Sequence, residues 1–259
     1  MDLGISGRTA IVCASSRGLG RACALSLAEA GVNIVINGRN PEALNHTAQE
    51  IASQTGVSVT PVIADISTAE GQQTLLAACP EPDILVNNNG GPPFRDFREL
   101  SREDLMQGVI MNMISPIEMI QKVIDGMIAR KFGRIVDITS ISVKMPVIGL
   151  DLSSGARAGL TAFLAGIARS VAHHNVTINH IQPGFFDTDR IRSGYEAMAK
   201  LENKSVEDVA QERTSKIPAR RLGDPREFGE TCAFLCARQS GYITGQSLLI
   251  DGGLHNTVM

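Results

Sequence analysis

Two glycines, Gly18 and Gly20, follow a short apolar run and open a helical pattern in the stretch CASSRGLGRACAL. A glycine turn between a strand and a helix presents backbone N–H groups and the positive end of the helix dipole to an anion. The chemistry expected here is phosphate binding. A glycine pair also occurs in ordinary strand-to-helix turns, but its position in the first strand–helix unit favours a dinucleotide phosphate.

The second apolar run ends in VINGRN and carries Arg39, at a position where an acidic residue would bind the 2′-hydroxyl of an adenosine ribose. A guanidinium there can bind a 2′-phosphate through two parallel hydrogen bonds. Arg17, inside the glycine turn, adds a second positive charge. Either arginine alone could be a solvated surface charge. Together they predict NADP rather than NAD as the cofactor.

These residues need a sheet whose strands end at one edge, and the hydrophobic pattern predicts such a sheet. Short runs that are apolar nearly throughout alternate with helical patterns such as Gly18–Ala30, Pro41–Thr55 and Pro225–Ala237. Such runs are typical of parallel strands covered on both faces, joined as right-handed βαβ units. We therefore expect a single Rossmann-type, doubly wound α/β domain over residues 1–259, with a seven-stranded parallel sheet. The predicted strands are Thr9–Ala14, Asn33–Asn37, Val57–Ile63, Asp83–Asn87, Gly133–Thr139, Thr177–Gln182 and Ser247–Ile250.

The segment Phe185–Ile217 interrupts this alternation because it is long, mixed and charged. It lies between the sixth and seventh predicted strands. Long insertions on a rigid α/β scaffold usually form lids or binding loops. Residues 185–217 are therefore predicted to form a substrate lid.

Composition excludes several classes of protein. The 259 residues carry a formal net charge of −3, which gives no attraction to nucleic acid or to an anionic membrane. No apolar run reaches the length needed to span a membrane. The five scattered cysteines form no CxxC pair, which predicts reduced thiols and a cytoplasmic location. Neither they nor the five histidines show the spacing of metal ligands, so no metal is expected.

Further motifs occur in a fixed order along the chain. They are ADIS (64–67), NNNGG (87–91), MNMISP (111–116), GRIVDITSIS (133–142), INHIQPGFFDTD (178–189) and YITGQSLLIDGG (242–253). Over nearly the whole chain this set resembles the short-chain dehydrogenase/reductase family. It is most similar to the branch that contains 3-oxoacyl-acyl-carrier-protein reductases.

The resemblance implies a set of site residues. Residues 13–20 match the family's glycine turn, with Cys13 in place of threonine and Ala14 in place of the first glycine. Two catalytic residues are implied: Asn112, which in the family holds a water in a proton relay, and Ser140, which hydrogen-bonds the substrate carbonyl. The cofactor-binding residues implied are Ser15, Ser16, Arg17, Gly18, Leu19, Gly20, Arg39, Asp65, Ile66, Asn88, Gly90, Arg157, Pro183, Gly184, Phe186 and Thr188.

One departure from the family pattern concerns the proton donor. Where the family has YxxxK, thirteen residues beyond the serine, this chain has Ser153 and Arg157, and these two complete the predicted catalytic set with Asn112 and Ser140. A serine hydroxyl donates hydrogen bonds but is a much poorer acid than a phenol. Arg157 stays charged and can bind the nicotinamide ribose without passing on a proton. The alternative is a helix arginine paired with a carboxylate or with solvent.

Other groups near the expected site could replace the missing acid. Asp151, Lys144 and Tyr195 are the candidates, although a surface or loop role is the more common one for such residues. The predicted pocket walls are apolar, which suggests a hydrophobic or acyl-like small-molecule substrate. They are Pro92, Pro93, Phe94, Met145–Ile148, Phe185, Phe186 and Met198.

The expected function is an NADP-dependent oxidoreductase that reduces a carbonyl, imine, enone or acyl-like substrate by hydride transfer. Two alternatives remain open: a non-catalytic NADP-binding sensor or scaffold, and a lyase or isomerase on the same fold. The C-terminal stretch YITGQSLLIDGG resembles the family's last strand, which commonly packs across a twofold axis. The resemblance therefore implies a homotetramer or a homodimer.

Overall fold

The computed structural model describes residues 2–91 and 94–257. Its centre is a seven-stranded sheet in the order β3-β2-β1-β4-β5-β6-β7, and every neighbouring pair of strands is parallel. The predicted single doubly wound domain is confirmed. The strands are β1 (Thr9–Val12), β2 (Asn33–Gly38), β3 (Val59–Ile63), β4 (Ile84–Asn87), β5 (Gly133–Ile138), β6 (Val176–Pro183) and β7 (Ser247–Ile250).

Helices connect the strands and cover both faces of the sheet. They are α1 (Gly18–Glu29), α2 (Pro41–Thr55), α3 (Ala69–Ala78), α4 (Arg102–Val109), α5 (Ser115–Ala129), α6 (Asp151–Val171), α7 (Asp189–Glu202), α8 (Val206–Thr214) and α9 (Pro225–Cys236). Local sequence fixes several of their starts. Asn40 accepts a hydrogen bond from Ala43 N ahead of Pro41, and Asp224 forms a capping box with Glu227.

Two hydrophobic layers hold the helices to the sheet. Alternate residues of β5 face opposite layers, because Cβ atoms alternate along a strand. Val136 packs with α1 and α9, whereas Ile135 packs with α5 and α6. Strands buried on both faces account for the continuous apolar runs in the sequence.

Two strands, β1 and β3, differ from the prediction by two residues at one end, and no other strand end differs by more than one residue. β1 ends at Val12 rather than Ala14, because the chain turns at Ala14 with φ +45°. β3 begins at Val59, two residues later than predicted. The chain therefore leaves the sheet at the glycine turn earlier than the apolar run alone suggests.

The segment predicted as a lid contains two helices, α7 and α8. Tyr195 and Ala199 of α7 pack against Val209 of α8 in a small hydrophobic cluster of their own. A parallel bridge between Phe186 and Gly223 ties the base of the segment to the chain that follows it. The segment is thus a helical hairpin beside the carboxyl end of β6.

No helix in the described ranges is both long and apolar enough to cross a membrane. Within the same ranges, no group of three or more His, Cys, Asp or Glu side chains is arranged to hold a metal ion. All five cysteines are free and buried.

Candidate functional site

The strand order reverses between β1 and β4, which lie side by side at the centre of the sheet. Connections from these two strands leave toward opposite faces, so a crevice opens beyond their carboxyl ends. The glycine turn follows β1, and the segment Asn87–Gly91 follows β4. Most of the predicted site residues lie at this edge of the sheet.

The glycine turn is closed by tight backbone contacts. A Cβ atom on Gly20 would lie 2.5 Å from the Ala14 carbonyl oxygen and 2.8 Å from Asn88 Nδ2, so only glycine fits there. Asn88 Nδ2 also donates to the Ala14 carbonyl at 3.1 Å, which joins the turn to the end of β4. Ser15 is fully buried, and its hydroxyl donates to Val12 O at 2.6 Å. Its side chain therefore supports the turn from inside.

The outer side of the turn is open. A Cβ atom on Gly18 would meet only Thr188 Cγ2, at 3.9 Å, and one on Gly90 would meet nothing within 4 Å. The N-terminus of α1 begins at Gly18, and no side chain caps it. Free N–H groups beside open space fit a dinucleotide pyrophosphate. Ser16 and Leu19 are half-buried at the edge of this space.

The residues predicted for the adenosine end lie past β2 and β3. Arg17 and Arg39 are both exposed, and Arg39 Nη1 lies 3.6 Å from Asp65 Oδ2. Partial burial opposes ionisation of Asp65, but hydrogen bonds from Ser67 and the charge of Arg39 outweigh it and lower its pKa. Ile66 is buried below them. The exposed guanidiniums leave room for a phosphate at this end.

Asn112 lies in a π-helical segment, Ile110–Ile114, between α4 and α5. Its side chain is 2% exposed, and Nδ2 donates to Gly108 O at 3.1 Å. Its Oδ1 has no hydrogen-bond partner. π-Helical turns often occur at functional sites, and this one places a buried amide beside the end of β4.

Ser153 and Arg157 lie on one face of α6, one turn apart. Arg157 Nε donates to Ser153 Oγ at 3.2 Å, and Nη1 donates to the Ile138 carbonyl oxygen at 2.6 Å. Burial of the guanidinium, followed by the nearby charge of Arg190, lowers the pKa of Arg157 to about 10, so it remains cationic at neutral pH. Ser140, just beyond β5, is half-buried, and its Oγ accepts from Ser142 N at 3.1 Å.

A small cavity lies between Asn112 and Arg157. It is lined by Asn112, Arg157 and the end of β5, and it offers about 10 Å³ to the centre of a water-sized sphere. That is about the room one water molecule requires. The unpartnered Oδ1 atoms of Asn87 and Asn112 and the Oδ2 atom of Asp137 belong to residues that line it.

The end of β6 contributes mainly backbone. Gly184 has no space for a side chain, because a Cβ atom would lie 2.7 Å from Asp251 Cβ. Phe186 points into the core, where its ring meets Phe228 edge-on at 5.3 Å between centroids. Pro183 and Thr188 are half-buried beside them. The Phe186 ring therefore supports this edge from below.

The predicted apolar walls are only partly formed. Phe94 and Ile148 are 64% and 97% exposed, whereas Phe185 and Met198 are half-buried. Pro92 and Pro93 lie outside the described residues. Among the substitute acids, Lys144 and Asp151 are exposed. Tyr195 instead packs inside the α7–α8 cluster, where burial raises its pKa.

A family model described as enoyl-(acyl carrier protein) reductase matches residues 13–255. The chain belongs to the short-chain dehydrogenase/reductase family. It is 31% identical to the 3-oxoacyl-[acyl-carrier-protein] reductase FabG of Aquifex aeolicus, over 98% of this chain and 100% of that protein. It is also 31% identical to the NADPH-dependent reductase BacG of Bacillus subtilis, over 96% of this chain and 98% of that protein.

A solved structure gives the same fold. The L-sorbose reductase of Gluconobacter frateurii, complexed with NADPH and L-sorbose, matches this short-chain dehydrogenase/reductase with a TM-score of 0.95 at 27% identity. The match covers 100% of both chains. The whole chain is therefore accounted for by one family fold.

Sequence reasoning missed three polar groups of this short-chain dehydrogenase/reductase. Asp137 and His180 lie side by side on β5 and β6, fully inside the sheet, with Asp137 Oδ2 3.7 Å from His180 Nδ1. Arg190, at the start of α7, donates to the Gly91 carbonyl at 3.2 Å. The signal for the first two was present, since a charged residue inside an otherwise apolar strand seldom lacks a reason.

Proposed function

We propose that the protein reduces a carbonyl or related group, such as an imine, an enone or an acyl-like ketone, with NADPH. The observation that supports this most is the open glycine turn at the N-terminus of α1, with exposed arginines at its adenosine end. When bound, NADPH supplies the hydride. BacG is an NADPH-dependent reductase, and the sorbose reductase was solved in complex with NADPH, which is consistent with the same cofactor here.

In this proposal each group of predicted residues binds a different part of the cofactor. Residues 15–20, with Asn88, Gly90 and Thr188, line the pyrophosphate, and Arg17 and Arg39 bind the 2′-phosphate. Asp65 and Ile66 bound the adenine, while Pro183, Gly184 and Phe186 support the nicotinamide end. Arg157 takes the place of the family's lysine at the ribose, because its guanidinium is fixed by Ser153 and Ile138 O.

In this proposal Asn112, Ser140 and Ser153 lie where the hydride reaches the substrate. Ser140 hydrogen-bonds the substrate in this proposal, and Asn112 lines the water-sized cavity that it shares with Arg157. Ser153 stands where the family has tyrosine, and its Oγ already accepts from Arg157 Nε, which leaves its own O–H free to donate. A serine is a weak acid, so substrates that need little protonation suit this site best.

We further propose that the hairpin within residues 185–217 acts as a substrate lid and that the protein is a cytoplasmic homotetramer or homodimer. The free, buried cysteines are consistent with a reducing compartment. Exposed apolar side chains on α4, α6 and β7 are consistent with self-association.

Cofactor titration tests the central step. Calorimetry with NADP⁺ and NAD⁺ should show at least about a tenfold preference for NADP⁺, since each charge-assisted hydrogen bond contributes about 1.5–3 kcal/mol. Arg39→Ala should remove most of that preference. Arg226→Ala, which changes an exposed arginine paired with Glu29 and Glu230, is the matched control. Equal affinities in the wild type would overturn the assignment.

Turnover is measured next, as NADPH oxidation with a panel of ketones, imines and enones. Oxidation dependent on one of these substrates supports a reductase. Tight NADPH binding without turnover on any of them would instead favour the sensor or scaffold.

A further inference from the structure

Arg157 has an unusual environment for a buried cation. It is 7% exposed, and its hydrogen bonds are to a hydroxyl and a carbonyl oxygen, both neutral. Across residues 2–91 and 94–257, no carboxylate forms an ion pair with it, and its Nη2 atom has no hydrogen-bond partner. Nη2 is not fully buried, so a ligand can reach it. An uncompensated buried charge is costly, which indicates that an anion binds there.

A second guanidinium approaches the same space from the lid. Arg190 lies flat against Gly91, because a Cβ atom on that glycine would be 2.8 Å from both Nη1 and Nη2. Gly91 follows Asn89, which lines the cavity that Arg157 also lines. The Arg190 charge is near enough to lower the pKa of Arg157, in addition to the larger effect of burial.

Like charges near each other repel, and an anion bound beside both guanidiniums would relieve that repulsion. Their planar forks match a carboxylate, which can accept two parallel hydrogen bonds from a guanidinium.

We propose that Arg157 and Arg190 together bind a carboxylate carried by the substrate, so that the protein acts on an oxo acid rather than on a neutral ketone or thioester. This inference rests on the proposed function, because it places the carboxylate beside the carbonyl that accepts the hydride. Arg157, which in the proposed function also reaches the nicotinamide ribose, orients the substrate from the sheet side, and Arg190 contacts the carboxylate from the lid.

The test compares two probes that differ only in charge. Oxamate carries a carboxylate next to a carbonyl, and oxamide replaces the carboxylate with a neutral amide. The protein is first titrated with NADP⁺, and the NADP⁺-saturated protein is then titrated calorimetrically with each probe. We expect oxamate to bind at least about tenfold more tightly than oxamide, as charge-assisted hydrogen bonds require.

Variants locate the binding. Arg190→Met and Arg157→Met should each weaken oxamate binding about tenfold or more. Arg190 is exposed, so Arg190→Met keeps the test informative if the buried Arg157→Met fails to fold. The control is Arg192→Met, two residues further along α7, where the guanidinium pairs with Asp187 at 2.9 Å.

Three results would overturn the inference: equal affinity for the two probes, no oxamate binding at millimolar concentration, or oxamate binding that is insensitive to Arg190→Met. Oxamate that competes with NADP⁺ on the cofactor-free protein would show that the probe occupies the cofactor site rather than a substrate site, and it too would overturn the inference. Failure of NADP⁺ itself to bind overturns the proposed function, and the first titration shows this separately.

Discussion

Ala14 shows how one residue can carry local strain within a family turn. It has φ +45°, a left-handed conformation that an L-residue with a Cβ adopts at a cost of about 1–2 kcal/mol. Its carbonyl oxygen nevertheless receives Asn88 Nδ2 and faces Gly20, so the contacts around the turn hold it there. The resemblance to the family predicted glycine at this position, and the backbone angle gives the physical reason.

Replacing this alanine tests the strain. Ala14→Gly should raise the free energy of unfolding by about 1 kcal/mol, because the relief of strain exceeds the greater backbone entropy of glycine in the unfolded chain. The midpoint of thermal unfolding should rise by about 2–4 °C. Ala22→Gly, inside α1, is the control and should lower it by a similar amount. A lower midpoint for Ala14→Gly would contradict the interpretation.

Residue types alone could place the cofactor groups but not the direction of every side chain. The glycine turn and the two exposed arginines follow from spacing along the first two βα units. Tyr195 could not be placed in this way, because its burial depends on the contact between α7 and α8. The approach of Arg190 to Gly91 joins residues far apart in the chain, so no local pattern reveals it.

At the scale of elements, β4, β5 and β6 carry a buried polar row. Asn87, Asp137 and His180 are in register on adjacent strands, and Asn87 Nδ2 donates to Asp137 Oδ1 at 2.9 Å. Burial raises the pKa of Asp137 to about 7 and lowers that of His180 to about 4. Both side chains are therefore mainly neutral near pH 6, side by side in the interior.

Asp137 and His180 should change the free energy of unfolding in opposite directions as the pH rises. Folded Asp137 holds its proton between about pH 4 and 7 while the unfolded chain loses it, so its contribution to stability falls as pH rises. Folded His180 stays neutral while the unfolded chain gains a proton below pH 6.5, so its contribution falls as pH drops toward 4. In the wild type these slopes largely cancel.

Replacing either residue should reveal the pH dependence of stability that the other residue causes. With Asp137→Asn, the free energy of unfolding should increase from pH 4 to 6.5, and with His180→Gln it should decrease from pH 4 to 7. Neither slope can exceed about 1.4 kcal/mol per pH unit for one proton. Urea unfolding at fixed protein concentration measures both. Three identical pH profiles would show that the pair does not titrate as described.

Strand positions were the most predictable feature of the chain, and the reason is physical. Strands such as β2 and β4 are buried on both faces, so they appear as largely apolar runs that end at turns. The ends of β1 and β3 were less predictable, because they depend on backbone angles and hydrogen-bonded neighbours rather than on hydrophobicity. The polar row was overlooked because the pattern averages over single charged residues.

At the scale of the whole molecule, exposed apolar side chains occur on two surfaces. One comprises α4 and α6, which pack together through Leu152 and Gly108 and expose Met106 and Phe163 at 55% and 48%. The other is the β7 edge of the sheet, where Leu248 is 40% exposed. An open parallel edge and adjacent apolar groups are unfavourable in an isolated chain, because both bind other chains readily.

Two independent surfaces allow a tetramer built as a dimer of dimers. Light scattering of the wild type at micromolar concentration should give the mass of four 27.6 kDa chains. Phe163→Glu and Leu248→Glu should each reduce that mass to two chains, because a buried, unpaired carboxylate disrupts one contact and leaves the other intact. Leu201→Glu, at an 85% exposed position of α7 outside both surfaces, should leave the mass unchanged. A monomeric wild type would contradict the proposed assembly. If the wild type has the mass of two chains, and only Leu248→Glu makes it monomeric, the β7 edge is the single interface.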